Sequence, residues 1–475
     1  MSRSARQPAA ARGQRGAKSG GTGAQRPQLS QRERLLDALI QLAARAGYQA
    51  VSVAQISSRA RVSSATFYEQ FADKEACLVA AYRSRAERLL ERIEPVPTDP
   101  PLTQSEWSAA ARAALTRVLV TVQEDPDGAR LLYIESIAGG PGIRKQRGLV
   151  LAQIERRAQE FLDSTPAGAK LLDLPTTALV GATRSIVSRH LRTTTEDQLP
   201  ALADDVLTWV EAYGAATKTR WSTSPRALLR SSGAGRTRAR PAASSSAQRL
   251  PRGRHGLPAG VVARSQRTRI IYGTAEVMMA KGYANTTVAD IVAAAGVARD
   301  VFYEHFTDKH HAFLEAQHFP TQHILDSCAA AYFAADSWPQ RVWAGLRTLL
   351  ELIVENPALS HLRLVECYAA GPEAIRRAED VTRSFAIFLE EGYRYRPQAE
   401  RLPSLCSQAI SGAIFELIRR EIARDHGQTL MQHLPQLVYI AIAPFTGPEE
   451  AIALIGQLRG TRARARRVVG STARA

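Results

Sequence analysis

Apolar side chains recur every three to four residues along most of the chain. The first clear run is Leu35, Leu36, Leu39, Ile40 and Ala43, and Gly47 stops it. That spacing gathers the five on one face of a helix, and glycine is the residue that most readily ends one. The same period predicts helices over 109–122, 129–138, 150–162, 177–191 and 202–213. Pro95 to Pro101 and Gly139-Gly140-Pro141-Gly142 interrupt it. No long strict alternation of apolar and polar positions occurs, so the pattern predicts an all-α protein.

The pattern is written twice. Residues 31–82 align without a gap on 266–317, and 17 of the 52 positions are identical, where shared composition gives roughly three or four. Gly47-Tyr48 matches Gly282-Tyr283, Val53 and Ile56 match Val288 and Ile291, and Phe67-Tyr68-Glu69 matches Phe302-Tyr303-Glu304. Phe71, Asp73 and Lys74 match Phe306, Asp308 and Lys309. The likeness continues more weakly: Leu131 to Glu135 with Gly140-Pro141 resembles Leu362 to Glu366 with Gly371-Pro372, and Gly181-Ala182 resembles Gly412-Ala413. A unit of this length is too large for a solenoid repeat, so a whole two-domain protein is duplicated. The expected divisions are a basic disordered arm (1–28), a first small helical module (29–76), a larger helical domain (77–221) and a flexible Arg/Ser/Gly/Pro linker (222–263). A second small module (264–311), a second helical domain (312–458) and an Arg-rich tail (459–475) follow.

Charge sharpens this picture. The chain of 475 residues carries a net +17, but residues 1–28, 218–265 and 459–475 hold 23 Lys and Arg and no acid, so the remainder nets −6. Basic character therefore sits in the arm, linker and tail, where it attracts a polyanion without sequence preference. No uninterrupted apolar run reaches transmembrane length, and the first thirty residues lack the apolar stretch of a secretory signal. Cys77, Cys328, Cys367 and Cys406 share no metal spacing and read as free thiols of a reducing cytoplasm. His305, His310, His311, His318 and His323 repeat no ligand pattern. With no nucleophile, paired-carboxylate or phosphate-loop signature, no cofactor, no metal and no enzyme are expected.

Each small module holds two helices joined by a tight turn. Ser52 and Thr287 stand at N-cap positions, with Gln55 and Asp290 three residues later as in a capping box. The turn is Arg61-Val62-Ser63 in one copy and Gly296-Val297-Ala298 in the other. The following short helix offers Ser64, Ala65 and Thr66, or Arg299, Asp300 and Val301. This is the layout of a helix-turn-helix whose second helix enters a DNA groove. Phe67 and Phe71, four apart, share a face that should be buried, while Tyr68 points away and can reach a phosphate. Lys74 and Lys309 start a helix, against its dipole, which fits a facing anion.

Residues Gly47-Tyr48, Ser52 to Ile56, Val62-Ser63 and Thr66 to Glu75, with Gly282-Tyr283, Thr287 to Ile291, Ala295 to Val297 and Val301 to Lys309, resemble the DNA-binding domain of TetR-family (tetracycline-repressor-like) transcriptional regulators. Ala443 to Ala451 resembles the closing helices of that family's regulatory domain. Two departures stand out: Arg61 replaces the usual turn glycine, and Ala298 replaces the usual serine cap. The resemblance implies two tandem copies of a helix-turn-helix domain plus a helical-bundle regulatory domain, acting as a cytoplasmic, nucleoid-associated, ligand-responsive repressor. Its partners would be a double-stranded DNA operator and an unidentified small-molecule effector, with no membrane. Expected DNA-binding residues are Ser52, Ser63, Ser64, Thr66, Tyr68, Lys74, Thr287, Arg299, Asp300, Tyr303 and Lys309. Expected ligand-binding residues are Trp107, Tyr133, Tyr368 and Phe415, which serve equally well as core. The family pairs subunits through their last helices, here resembling 177–213 and 407–458, as an intramolecular pseudo-dimer or a homodimer. The alternatives are a small-molecule sensor or interaction scaffold with degenerate DNA-binding modules, and a nonspecific basic DNA binder.

Overall fold

A computed structural model describes residues 29–93, 102–163, 174–193, 199–213, 258–319 and 321–459. Of the expected arm, linker and tail, only 258–263 and Arg459 fall within them. Every regular element among the described residues is helical. The first half runs α1 (Gln31–Ala46), α2 (Val53–Ala60), α3 (Ser64–Gln70), α4 (Lys74–Arg92), α5 (Gln104–Glu124), α6 (Pro126–Tyr133), α7 (Pro141–Asp163), α8 (Thr176–Thr193) and α9 (Leu202–Glu211). The second runs α10 (Ala259–Lys281), α11 (Val288–Ala295), α12 (Arg299–His305), α13 (Lys309–His318), α14 (Thr321–Phe333), α15 (Trp338–Glu355), α16 (Pro357–Leu364), α17 (Pro372–Ala386), α18 (Cys406–Asp425), α19 (Leu434–Thr446) and α20 (448–459).

Local chemistry sets these boundaries. Ser30 and Glu33 close a capping box on α1, and Thr103 and Glu106 close one on α5. Asp125 caps α6, whose first residue is Pro126. Three expectations shift. The linker was expected to reach 263, but α10 begins at Ala259 behind Pro258, which supplies the turn before the helix. The helix expected over 129–138 breaks at Ile134, whose backbone (φ −121°, ψ −64°) leaves the helical region, and a tight 3-10 turn follows at Glu135–Ala138. The Gly139 to Gly142 stretch starts a helix as well as ending one, because Pro141 is well suited to a first helical position.

Under each small module lies its own core, built in the first from Leu35, Leu39, Ile56, Phe67 and Phe71 and in the second from Ile270, Ile291, Phe302 and Phe306. A third core is shared by the two halves: Trp107, Trp209 and Tyr213 join Leu350, Ile410, Tyr439 and Phe445 in one cluster. The halves meet chiefly along α8 and α18. A Cβ added to Gly181 would lie 2.6 Å from Glu416 Cγ, and one added to Gly412 would lie 2.7 Å from the Ser185 Cβ, so only glycine permits this approach. The Tyr213 hydroxyl donates to the Ile440 carbonyl at 2.8 Å in the same buried seam. Buried Glu416 of α18 pairs with Arg184 of α8 and with its own helix's Arg419 and Arg420, and Arg420 also pairs with Glu155 of α7. Three guanidiniums hold the Glu416 carboxyl well below the usual carboxylate range despite its burial.

Candidate DNA-interaction surfaces and ligand cavity

In both modules the helix-turn-helix is assembled from local hydrogen bonds. Ser52 Oγ accepts from Gln55 N while Gln55 Oε1 accepts from Ser52 N at 2.8 Å; Thr287 and Asp290 repeat the exchange. Ser63 Oγ accepts from Thr66 N at 3.0 Å and lies 3.0 Å from the Thr66 hydroxyl, so Thr66 is partly engaged at the start of α3. Ala298 gives α12 no such cap. The turns differ as well: Arg61 adopts the left-handed conformation (φ 55°) that Gly296 (φ 62°) adopts in the second copy.

Phe67 and Phe302 are fully buried, whereas Tyr68 and Tyr303 are 59% and 47% exposed, each ring edge-on to the neighbouring phenylalanine. Ser64, Ala65, Arg299 and Asp300 are exposed on the same short helices, and Val301 is half-buried. Arg299 reaches back to the Tyr303 hydroxyl at 3.5 Å and over its ring.

Lys74 and Lys309 have partners within the fold. Lys74 Nζ donates to Val51 O at 2.8 Å and Tyr48 O at 3.3 Å and sits 4.5 Å from the Tyr48 ring centre. Lys309 Nζ donates to Tyr283 O at 2.9 Å above the Tyr283 ring. Partial burial lowers the pKa of both ammonium groups. An ammonium has three donors, so each lysine braces the turn before α2 or α11 and keeps a donor for an outside acceptor. Asp73 and Asp308 cap the same helices, accepting from Ala76 N and His311 N at 2.7 Å.

Two further repeated features escaped the sequence reading. Arg34 Nε donates to Ala60 O at 3.1 Å, and Arg269 Nη2 donates to Ala295 O at 2.6 Å, so an arginine of the first helix closes the end of the second. The carboxylates of Glu135 and Glu366 accept from Tyr48 N at 2.8 Å and Tyr283 N at 2.6 Å. These bonds tie each module to the turn that follows α6 or α16. Burial raises the pKa of both glutamates, and the amide hydrogen bond works against that rise. Identity at paired positions was the available signal in both cases; the contact partner was not.

The first half encloses a cavity of about 570 Å³ among α4, α5, α6, α7, α8 and α9. Trp107 and Tyr133 line it. Tyr368 and Phe415 do not: they line a smaller space of about 110 Å³ between the halves. The corresponding interior of the second half, among α14, α15, α17, α18 and α19, holds only about 40 Å³, with Phe415 on its wall. Among the described residues no three His, Cys, Asp or Glu side chains cluster as metal ligands, and no helix is long and apolar enough to cross a membrane.

The family model of bacterial regulatory proteins, tetR family, matches residues 35–81 and again 270–316. The HTH-type transcriptional repressor KstR of Rhodococcus jostii (strain RHA1) is 32% identical over 99 residues, 21% of this chain and 44% of that protein. The chain thus spans less than half the length of this curated relative. A solved transcriptional regulator, FadR from Bacillus subtilis in complex with stearoyl-CoA, is 18% identical and is covered over 98% of its own chain and 39% of this one, with a TM-score of 0.32.

Proposed function

We propose that the chain, which matches the family model of bacterial regulatory proteins, tetR family, at two places, is a tandem TetR-like, ligand-responsive repressor whose two unlike helix-turn-helix modules read two unlike half-sites of one operator. The observation that carries this is the pair of exposed, chemically different helices α3 and α12 on one chain. Ser64 and Thr66 are permissive toward bases, whereas Arg299 favours guanine and Asp300 accepts from cytosine. Tyr68 and Tyr303 flank them as phosphate contacts, and Lys74 and Lys309 use their remaining donors the same way. Ser52, Ser63 and Thr287 present helix starts to the backbone. A ligand in the first-half cavity would alter the packing that holds the modules and release the operator, a shift between two populated states.

Selection of bound fragments from the source genome tests the reading, and an imperfect palindrome is the expected operator. Lys74→Ala and Lys309→Ala should weaken binding evenly across sequences and reduce the salt slope by roughly one per lost phosphate contact. Changes at Ser64, Thr66 or Arg299 should alter base preference instead. A perfectly symmetric operator bound equally by both modules, or lysine variants with unchanged affinity, would overturn the assignment.

A further inference from the structure

The two regulatory interiors are made from corresponding helices, yet they differ more than tenfold in free volume. The first, at about 570 Å³, lies in the size range of small-molecule sites. The second, at about 40 Å³, has room for a few water molecules and no organic ligand. Its own side chains fill it. Tyr332 packs on Phe388 with ring centres 5.0 Å apart, and Phe385 touches Phe388 at 5.8 Å and Phe415 at 5.4 Å. The 3-10 segment Ile387–Arg394 wedges between α15 and α19. A Cβ on its Gly392 would lie 2.6 Å from the Trp338 ring.

The first cavity is also charged. Its wall is mainly apolar but includes Arg147, Arg157, Arg184 and a single acid, Glu160. Arg157 donates to the Leu90 and Ile93 carbonyls, and Arg184 pairs with Glu416. Glu160 is exposed on α7. Arg147 has no hydrogen-bond or ion-pair partner among the described residues. It is deeply enclosed by protein yet retains accessible surface, as a side chain does when its free face is a cavity wall. Burial, with the neighbouring Arg184 charge, pushes its pKa down to about 10, so it remains cationic at neutral pH. An enclosed, unpaired guanidinium is costly and stands ready to be matched by an anion.

We propose that the chain carries one effector site: an elongated apolar molecule with an anionic end fills the first-half cavity with its charge on Arg147, and the second half is a ligand-blind partner packed by its own aromatic side chains. It rests on the repressor reading only in calling the occupant an effector. Arg184 gives the occupant a route to the second half, because it lines the cavity and pairs with Glu416 across the α8–α18 seam. A second negative charge beside Arg184 competes with Glu416 for it.

The test uses the full chain, native mass spectrometry and titration calorimetry. The probes are straight-chain carboxylates of eight to sixteen carbons, with matching alkyl phosphates and alcohols. One anionic probe should bind per chain, more tightly than its alcohol. Arg147→Met should erase that preference, lowering anion affinity about 10- to 100-fold, while Ala111→Phe, which fills the cavity, should abolish binding of all three classes. Circular dichroism checks that both variants stay folded. A preference for carboxylate or for phosphate identifies the head group, and either supports the site. Two probes per chain, equal affinity for alcohol and anion, unchanged selectivity in Arg147→Met, or no binding across the series overturns it. Operator binding is measured separately without probe. Its failure beside intact one-to-one probe binding removes the repressor reading alone, and the converse removes the ligand site alone.

Discussion

Arg61 is a residue whose backbone and side chain disagree. It ends α2 in the left-handed region at φ 55°, a conformation that costs a non-glycine residue about 1–2 kcal/mol, while Gly296 does the same work in the second module without that cost. The second module has the opposite defect, since Ala298 leaves α12 uncapped where Ser63 caps α3. Arg61→Gly should therefore slow amide exchange across α2 and α3 by the equivalent of about 1 kcal/mol, and Ala298→Ser should slow it across α11 and α12 by about 0.5–2 kcal/mol. Exchange rates that stay unchanged would show that neighbouring contacts already absorb both defects. Both positions were legible in the sequence, because a turn glycine and an N-cap serine are local requirements. The partners of Lys74 were not legible: its carbonyl acceptors on Tyr48 and Val51 depend on how α4 docks against the preceding turn. His361 supplies a pH effect of the same residue scale. It is buried on α18's neighbour α16, beside His426, and burial first and that second ring next push its pKa down from 6.5 to about 4. The neutral ring is what the fold accommodates, so its stability contribution is intact above about pH 6.5 and is lost as pH falls toward 4. Calorimetry between pH 7 and 5 should show Tm falling in the parent and falling less in His361→Phe; parallel slopes would rule the histidine out.

At the scale of elements, the informative joint is the turn after α6. Leu132 and Tyr133 line the first cavity, and two residues later Glu135 receives the Tyr48 amide at the base of the first helix-turn-helix module. One short stretch of chain therefore touches both the proposed ligand and the module that it must move. Hydrophobic period located α6 but ran it through to 138, because periodicity does not register a single residue such as Ile134 leaving the helical region. Glu135 was visible as half of a repeated pattern with Glu366, yet its partner lies 87 residues away, beyond any local rule. Glu135→Ala should leave operator affinity within a few fold and weaken the release of DNA by ligand, since the contact transmits and does not read bases. Operator titrations with and without a cavity ligand separate the outcomes: a variant released as fully as the parent would place the coupling elsewhere.

Across the whole molecule, duplication predicts a symmetry, and the α8–α18 seam carries it in its smallest residues. Gly181 faces Glu416 while Gly412 faces Ser185, and the counterparts Gly181 and Gly412, like Ser185 and Glu416, stand 231 positions apart. Reciprocal contacts of this kind are what a two-fold interface between identical subunits makes; here both surfaces belong to one chain and meet at the high effective concentration of an intramolecular event. The symmetry is imperfect, for Glu416 recruits three arginines where Ser185 recruits none of them. Such asymmetry disfavours pairing of like halves between chains, because in a pair of α18 helices Phe415 would stand where Arg184 now does and leave each Glu416 without its partner from the opposite helix. Light scattering at micromolar concentration should accordingly return a mass near 51.8 kDa, with or without operator DNA. Gly412→Leu, which drives a side chain into Ser185, should lower Tm by several degrees and enlarge the particle as the halves separate. A stable mass of two parent chains, or a Gly412→Leu chain as compact and as heat-resistant as the parent, would mean that the seam does not hold the protein together in solution.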